Sequence, residues 1–211
     1  DYEAAIGELL FTLRHSTDPS EKTSMAERLQ ELGEYRQSWR VAEELRAQGF
    51  NDVRLWRLSY PRAYSTEVLS EAERHNLEPE LVWAIMRQES AFYPNARSTS
   101  NAQGLMQVIP STWDWLAELQ EEAPGDPYSP ATNIRYGAFY LRWLLDYLGD
   151  DTELVIASYN RGQGYIKRLF ESEYVSQNKD ELYREIDALE TREYLQRVMM
   201  NYEIYKQLYK N

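Results

Sequence analysis

The chain has 211 residues, 43% of them hydrophobic and 27% charged, which suffices for one sizeable domain plus a small annex. No run of about 18 apolar residues occurs, so no segment reads as membrane-spanning, and the absence of cysteine excludes disulfides, thiolate metal sites and a cysteine nucleophile. A net charge of -12 argues against nucleic acid as a partner, because phosphate binding needs concentrated Lys and Arg.

The chain opens at Asp1 with neither Met nor a basic-then-apolar leader, so the expectation is a mature or trimmed chain without its secretion signal. Lack of cysteine fits the cytosol and a disulfide-free cell envelope equally. The pattern is helical nearly throughout, with no two-residue hairpin turn, and the expected fold class is all-α. Three segments up to Gly49 share a character: YEAAIGELLFTLRH, SEKTSMAERLQELG and EYRQSWRVAEELRAQG. Met25, Leu29 and Leu32, then Trp39, Ala42 and Leu45, recur at helical spacing, and Gly33 and Gly49 fall where helices would end. This is similar to the helix pairs of an α-solenoid. The stretch around Pro61 reads as a connection, which divides the chain into a helical segment and linker over 1–58 and a second domain over 59–211.

Beyond that linker the punctuation sharpens. Ser65 is the expected cap of a helix running through His75, and Pro79 suits the first turn of the next. Ser111 with Asp114 after Pro110 reads as a capping box. EEAPGDPYSPATN is a loop by its Pro and Gly content, followed by a long amphipathic helix from about Thr132 to Leu148, ended by Gly149. Thr152 is the expected cap of the next helix, which ends near Asn160 and Gly162. A last helix begins near Thr191, with Leu195, Val198, Met199, Tyr202 and Tyr205 on one stripe.

The chemistry concentrates in LVWAIMRQESAFYPNARSTSNAQGLMQVIPSTW, residues 81–113. Leu81, Ile85 and Glu89 are four apart and share a helix face, so Glu89 is carried toward the core or its rim. Desolvation and the negative end of the helix dipole both favour its neutral form, and a carboxyl protonated near neutral pH is what general-acid catalysis requires. The bland alternative is a Glu89 at a fraying helix end, paired with Arg87 or Arg97. Against it stands the small polar loop NARSTSNAQG, open to a polymeric ligand, and the amide of Gln107 that follows. His15 and His75 are isolated from any ligand-spaced partner, and no metal or cofactor is expected.

These residues resemble a known family. QESAFYPNARSTSNAQGLMQVIPSTW is similar to the signature of the soluble lytic transglycosylases, goose-type-lysozyme-like enzymes that cut peptidoglycan glycan strands. Three further segments resemble family motifs in the family's order: DPYSPATNIRYGAFYLRWLLDYLGD, VIASYNRGQGYIKR and LETREYLQRVMMNY. The resemblance covers about residues 60–205 and implies a lysozyme-like helical catalytic domain preceded by the end of a superhelical array. It implies Glu89 as the catalytic glutamate, and Ser98, Gln107, Ile109, Tyr159 and Glu190 as substrate-binding residues, Glu190 toward the peptide stem and Asn160 as the structural partner of Tyr159.

Three positions depart from the family pattern. Asn101 stands where glycine is usual and is expected to tolerate positive φ, Ser158 replaces an alanine, and Arg161 replaces the second alanine of the tyrosine motif, which bears on fine specificity. The mechanism implied uses one carboxyl, first as acid and then as base on the sugar's own C6 hydroxyl, giving 1,6-anhydromuramic ends. The implied partner is peptidoglycan, with the N-terminal helices as a surface for cell-wall proteins, and the implied location is extracytoplasmic. A water-using hydrolase on the same scaffold would need a second carboxylate facing Glu89, and a non-catalytic scaffold would have no need of a poised acid.

Overall fold

A computed structural model describes residues 2–171 and 184–210. Among these there are eleven helices and no strand. They are α1 (Tyr2–His15), α2 (Pro19–Glu31), α3 (Tyr35–Ala47), α4 (Val53–Ser59), α5 (Ser65–Arg74), α6 (Pro79–Ser90), α7 (Pro110–Leu119), α8 (Pro130–Leu148), α9 (Thr152–Arg161), α10 (Gln163–Phe170) and α11 (Leu189–Leu208). The all-α expectation is met. None of the described helices is long and apolar enough to cross a membrane.

Helices α2, α3 and α4 pack on one another around Ala26, Ala42, Leu45, Leu55 and Leu58. The face of α2 that is buried carries Thr23, Ala26 and Leu29 rather than Met25, Leu29 and Leu32. Small Thr23 and Ala26 let the two helices approach, while Met25 stays at the margin. A second, larger core begins at Tyr60 and joins α5 to α11. At its centre α6 buries Leu81 to Met86 without interruption. A helix buried around its whole circumference is a spine for the fold. It packs along α11, while α8 lies against α5 and α9, and α9 against α10 and α11.

Three capping expectations are corrected. Tyr64, in the left-handed region at φ 51, occupies the cap position of α5, so Ser65 is already helical. Ile109 precedes α7 and no side chain caps it, so Ser111 and Asp114 form no capping box. Asp151, not Thr152, caps α9, accepting from the N–H groups of Glu153 and Leu154. A carboxylate at the cap also meets the positive end of the helix, which a threonine cannot match. On α8 the expectation is close: Ser129 caps the start and Gly149, at φ 78, the end. Along α11, Leu195, Val198, Tyr202 and Tyr205 are buried, with Met199 partly exposed.

Candidate active site

The spacing of α6 brings Glu89 to the end of the spine, one residue before the helix stops. The stop is abrupt, because Ala91 and Phe92 both take left-handed backbone, at φ 48 and 63. Such conformations cost a non-glycine residue on the order of 1 kcal/mol or more each, and here the Phe92 ring, 1% exposed, anchors the turn in the core. The chain then enters the polar loop, which folds back on itself through isolated antiparallel bridges from Gln103 to Arg97 and to Val108. Asn101 takes φ 62, as its side chain permits. Ser98 Oγ accepts from the N–H groups of Ser100 and Ala102 at 3.2 and 3.0 Å, so its own proton is left to donate elsewhere.

The loop is held from below by α8. Asn133 is fully buried; its Oδ1 accepts from Met106 N–H at 2.7 Å, and its amide donates to the carbonyls of Gln103 and Pro127 at 3.1 and 2.8 Å. Gly104 sits at φ +77, where an added Cβ would collide with the Asn133 amide and the Pro127 carbonyl. Gln107, itself left-handed at φ 50, spends its amide hydrogens on the carbonyls of Ala96 and Gly104. Its Oε1 remains an acceptor.

Glu89, Ser98, Gln107, Ile109, Tyr159 and Glu190 all line one cavity of about 540 Å³, together with Tyr140 and Arg161. A second cavity of about 720 Å³ lies on the other side and shares Glu89, Ser98 and Gln107. The two form one groove with Glu89 at its waist. Burial pushes the Glu89 carboxyl up to about 7. The opposing influence is a 2.6 Å hydrogen bond donated by the Tyr194 hydroxyl to Oε1. Neither Arg87 nor Arg97 pairs with it: Arg87 takes Glu43 at 3.1 Å, and Arg97 donates to Asn101 Oδ1 at 2.9 Å. Near neutral pH the carboxyl is therefore poised between its two forms, with Oε1 fixed by Tyr194 and Oε2 left to carry the proton.

Tyr159 donates to the Met106 carbonyl at 2.8 Å, and burial raises its phenol well above the ordinary range, so it enters the site as a neutral phenol. Asn160 does not bond Tyr159; its Oδ1 accepts from Thr191 Oγ1 at 2.8 Å, tying the end of α9 to the start of α11 beside Glu190. Arg161 faces Asp187 at 3.6 Å and lies over the Tyr165 ring at 5.0 Å. Tyr194 and Asn133 are the site residues that sequence reasoning missed. Tyr194 stands in the LETREY segment and Asn133 in SPATN, so the motifs contained both without indicating their roles. Among the described residues no group of three His, Cys, Asp or Glu side chains is arranged to hold a metal.

The groove can be set beside known proteins. The chain is 34% identical over 157 residues to a Haemophilus influenzae protein provisionally named a soluble lytic murein transglycosylase, covering 73% of this chain and 26% of that protein. It is 38% identical over 122 residues to membrane-bound lytic murein transglycosylase C of Actinobacillus pleuropneumoniae, covering 52% of this chain and 33% of the other. Among solved structures, an inactive glutamate-to-glutamine variant of lytic transglycosylase Slt from Pseudomonas aeruginosa superposes with a TM-score of 0.74 at 28% identity, over 95% of this chain and 32% of that one. The 70 kDa soluble lytic transglycosylase of Escherichia coli shares the fold with a TM-score of 0.79 at 22% identity, over 100% of this chain and 36% of its own. The chain thus spans about a quarter to a third of the length of these relatives. The profile of the transglycosylase SLT domain matches residues 67–182, more than half of the chain, taking in Glu89, the loop after it and Tyr159; the chain belongs to that family.

Proposed function

We propose that the chain is a peptidoglycan lytic transglycosylase that cleaves the β-1,4 bond between MurNAc and GlcNAc without water. The observation that carries this reading is Glu89, a carboxyl raised to about 7 by burial and hydrogen-bonded by Tyr194, at the waist of an elongated groove. In the first step Glu89 Oε2–H gives its proton to the glycosidic oxygen, the C1–O bond breaks, and GlcNAc leaves with a free 4-hydroxyl. The N-acetyl group of MurNAc stabilises the cation left at C1. In the second step the Glu89 carboxylate takes the C6 hydroxyl proton while O6 bonds to C1, giving the 1,6-anhydro ring and returning Glu89 to its acid form. Ring closure within one sugar benefits from high effective concentration. A buried carboxyl that is stable in both protonation states near neutral pH suits both halves of this cycle.

The family membership supports the reaction class, and the relatives named for it act, by their names, on murein. On this reading Ser98, Gln107, Ile109, Tyr159 and Glu190 contact the glycan, residues 59–211 form the catalytic unit, residues 1–58 form the annex, and the working location is extracytoplasmic. Glu190 is the observation that favours a second reading. It is an exposed carboxylate on the same cavity wall as Glu89, and a hydrolase would use such a group to activate water.

Mass spectrometry of muropeptides released from purified cell walls separates the two. The expected products carry 1,6-anhydro ends; reducing ends would establish the hydrolase. Glu89→Gln is expected to lower turnover by at least about a hundredfold with folding and wall binding retained, and near-normal turnover would end the assignment of Glu89.

A further inference from the structure

The groove's two halves are built differently. The half containing Tyr159 and Glu190 is walled by the loop, α9 and α11, whereas the other half is walled in part by the annex, through Arg36 and Trp39 of α3. Three arginines line that second half, Arg36, Arg87 and Arg97, against a single carboxylate, Glu89. This is unexpected in a chain of net charge -12. Arg87 is neutralised by Glu43 at 3.1 Å, and Glu43 also pairs with Arg46 at 3.0 Å. Among the described residues Arg97 donates only to the neutral Asn101 amide oxygen. Arg36 forms no ion pair among the described residues; its guanidinium lies over the Tyr93 ring at 4.2 Å.

A planar guanidinium stacked on an aromatic ring is pre-organised, so less side-chain freedom is lost when it grips a carboxylate with its fork of N–H groups. Such a residue, unpaired and turned toward a groove, raises the local concentration of anions and holds one that docks. Within a peptide-bearing glycan strand the sugars are neutral, because the lactyl carboxyl is consumed in the amide link, so the anionic groups are the carboxylates of the stem peptides. We propose that Arg36, set on Tyr93 and seconded by Arg97, makes the annex-walled half of the groove a subsite for a stem-peptide carboxylate. The annex helix α3 is then part of the substrate site. This rests on the reading of the chain as a glycan-cleaving enzyme.

The test removes charge from substrate and enzyme separately. Solubilised glycan strands with intact stem peptides are compared with the same strands after their peptide carboxylates are converted to amides, using the complete chain and its Arg36→Ala and Arg36→Lys variants. For the unmodified chain, amidation is expected to lower kcat/KM about tenfold, mainly through KM, the scale of one charge-assisted hydrogen bond. Arg36→Ala is expected to lose a similar factor on native strands and to show no further loss on amidated ones, while Arg36→Lys keeps most of the discrimination. Equal cleavage of native and amidated strands by the unmodified chain overturns the subsite. So does an equal loss by Arg36→Ala on both, which marks a structural arginine. Should Arg36→Ala fail to fold, Arg36→Gln, which keeps the stem of the side chain without its charge, is read in the same way. If the unmodified chain cleaves neither strand, the enzymatic reading itself fails.

Discussion

The residue proposed as the acid is Glu89, and its properties come from groups distant in sequence. Burial raises its carboxyl to about 7, and the Tyr194 hydroxyl, 105 positions away, stabilises the ionised form and pulls the value down. The sign of the consequence follows. As the proposed acid, Glu89 must be protonated in the free enzyme, so kcat/KM is expected to be level at mildly acidic pH and to fall as pH rises through about 7. Replacing Tyr194 by Phe removes the hydrogen bond that favours the carboxylate, so the alkaline fall is expected to move to higher pH. Its plateau is expected to drop by about tenfold, because Oε1 is no longer fixed and the proton on Oε2 is less well aimed. A pH profile of wall-digestion rates measures both. Movement of the fall to lower pH would mean that Tyr194 acts on Glu89 by some route other than this hydrogen bond.

At the scale of elements, what sequence made legible was whatever spacing and punctuation encode. The four-residue spacing of Leu81, Ile85 and Glu89, Pro79 at the start of α6 and Gly149 at the end of α8 each translate into geometry without knowledge of the rest. Ser65, Ser111 and Thr152 do not cap because a neighbour competes: a left-handed Tyr64, a Pro110 whose fixed φ opens the helix unaided, and an Asp151 that is the better acceptor. Asn133 was invisible for a different reason. Its buried side chain is defined by partners 6, 27 and 30 residues away, and its own segment carries no periodic signal. Two of its three hydrogen bonds, to Met106 and Gln103, hold α8 to the loop that presents Gln107 and the third ties in Pro127, while Gly137 one turn on lets Met106 lie directly against the helix. Asn133→Ala would leave the Met106 N–H and the Gln103 and Pro127 carbonyls short of partners in the core. It is expected to cost about 3 kcal/mol, or about 6–12 °C in Tm for a chain of this size. Activity should fall with it, as the loop loses its support. A melt within about 1 °C of the unmodified chain would show that water replaces the amide and that the loop is held elsewhere.

At the scale of the whole molecule, the two hydrophobic cores meet at a seam where Tyr35, Trp39 and Trp56 of the annex pack against the larger core around one arginine. The annex core ends at Leu58 and the larger one begins at Tyr60, which is the physical basis for proposing the division at residues 58 and 59. Across the seam Arg87, from the same helix as Glu89, donates Nε to the Ser59 carbonyl at 2.9 Å, Nη2 to Glu43 at 3.1 Å and Nη1 to Asn201 Oδ1 at 3.2 Å, with its guanidinium 4.2 Å from the Tyr60 ring centroid. One cation thus joins α3, α4, α6 and α11. A guanidinium with only 13% of its side chain exposed is costly to leave unpaired. Glu43→Ala is therefore expected to destabilise the chain by about 2 kcal/mol, below the full penalty of a buried pair because Glu43 itself is a third exposed. Because the seam also carries the Tyr35–Tyr64 ring contact at 5.0 Å and the Arg36–Tyr93 stack, the helices on its two sides should melt together. Calorimetry is expected to show a single transition shifted downward in Glu43→Ala, with glycan cleavage weakened as α6 loses its lateral tie two residues before Glu89. Two transitions, of which only the earlier moves, would show instead that the annex folds and fails alone, and that the groove half it walls is assembled only when it docks.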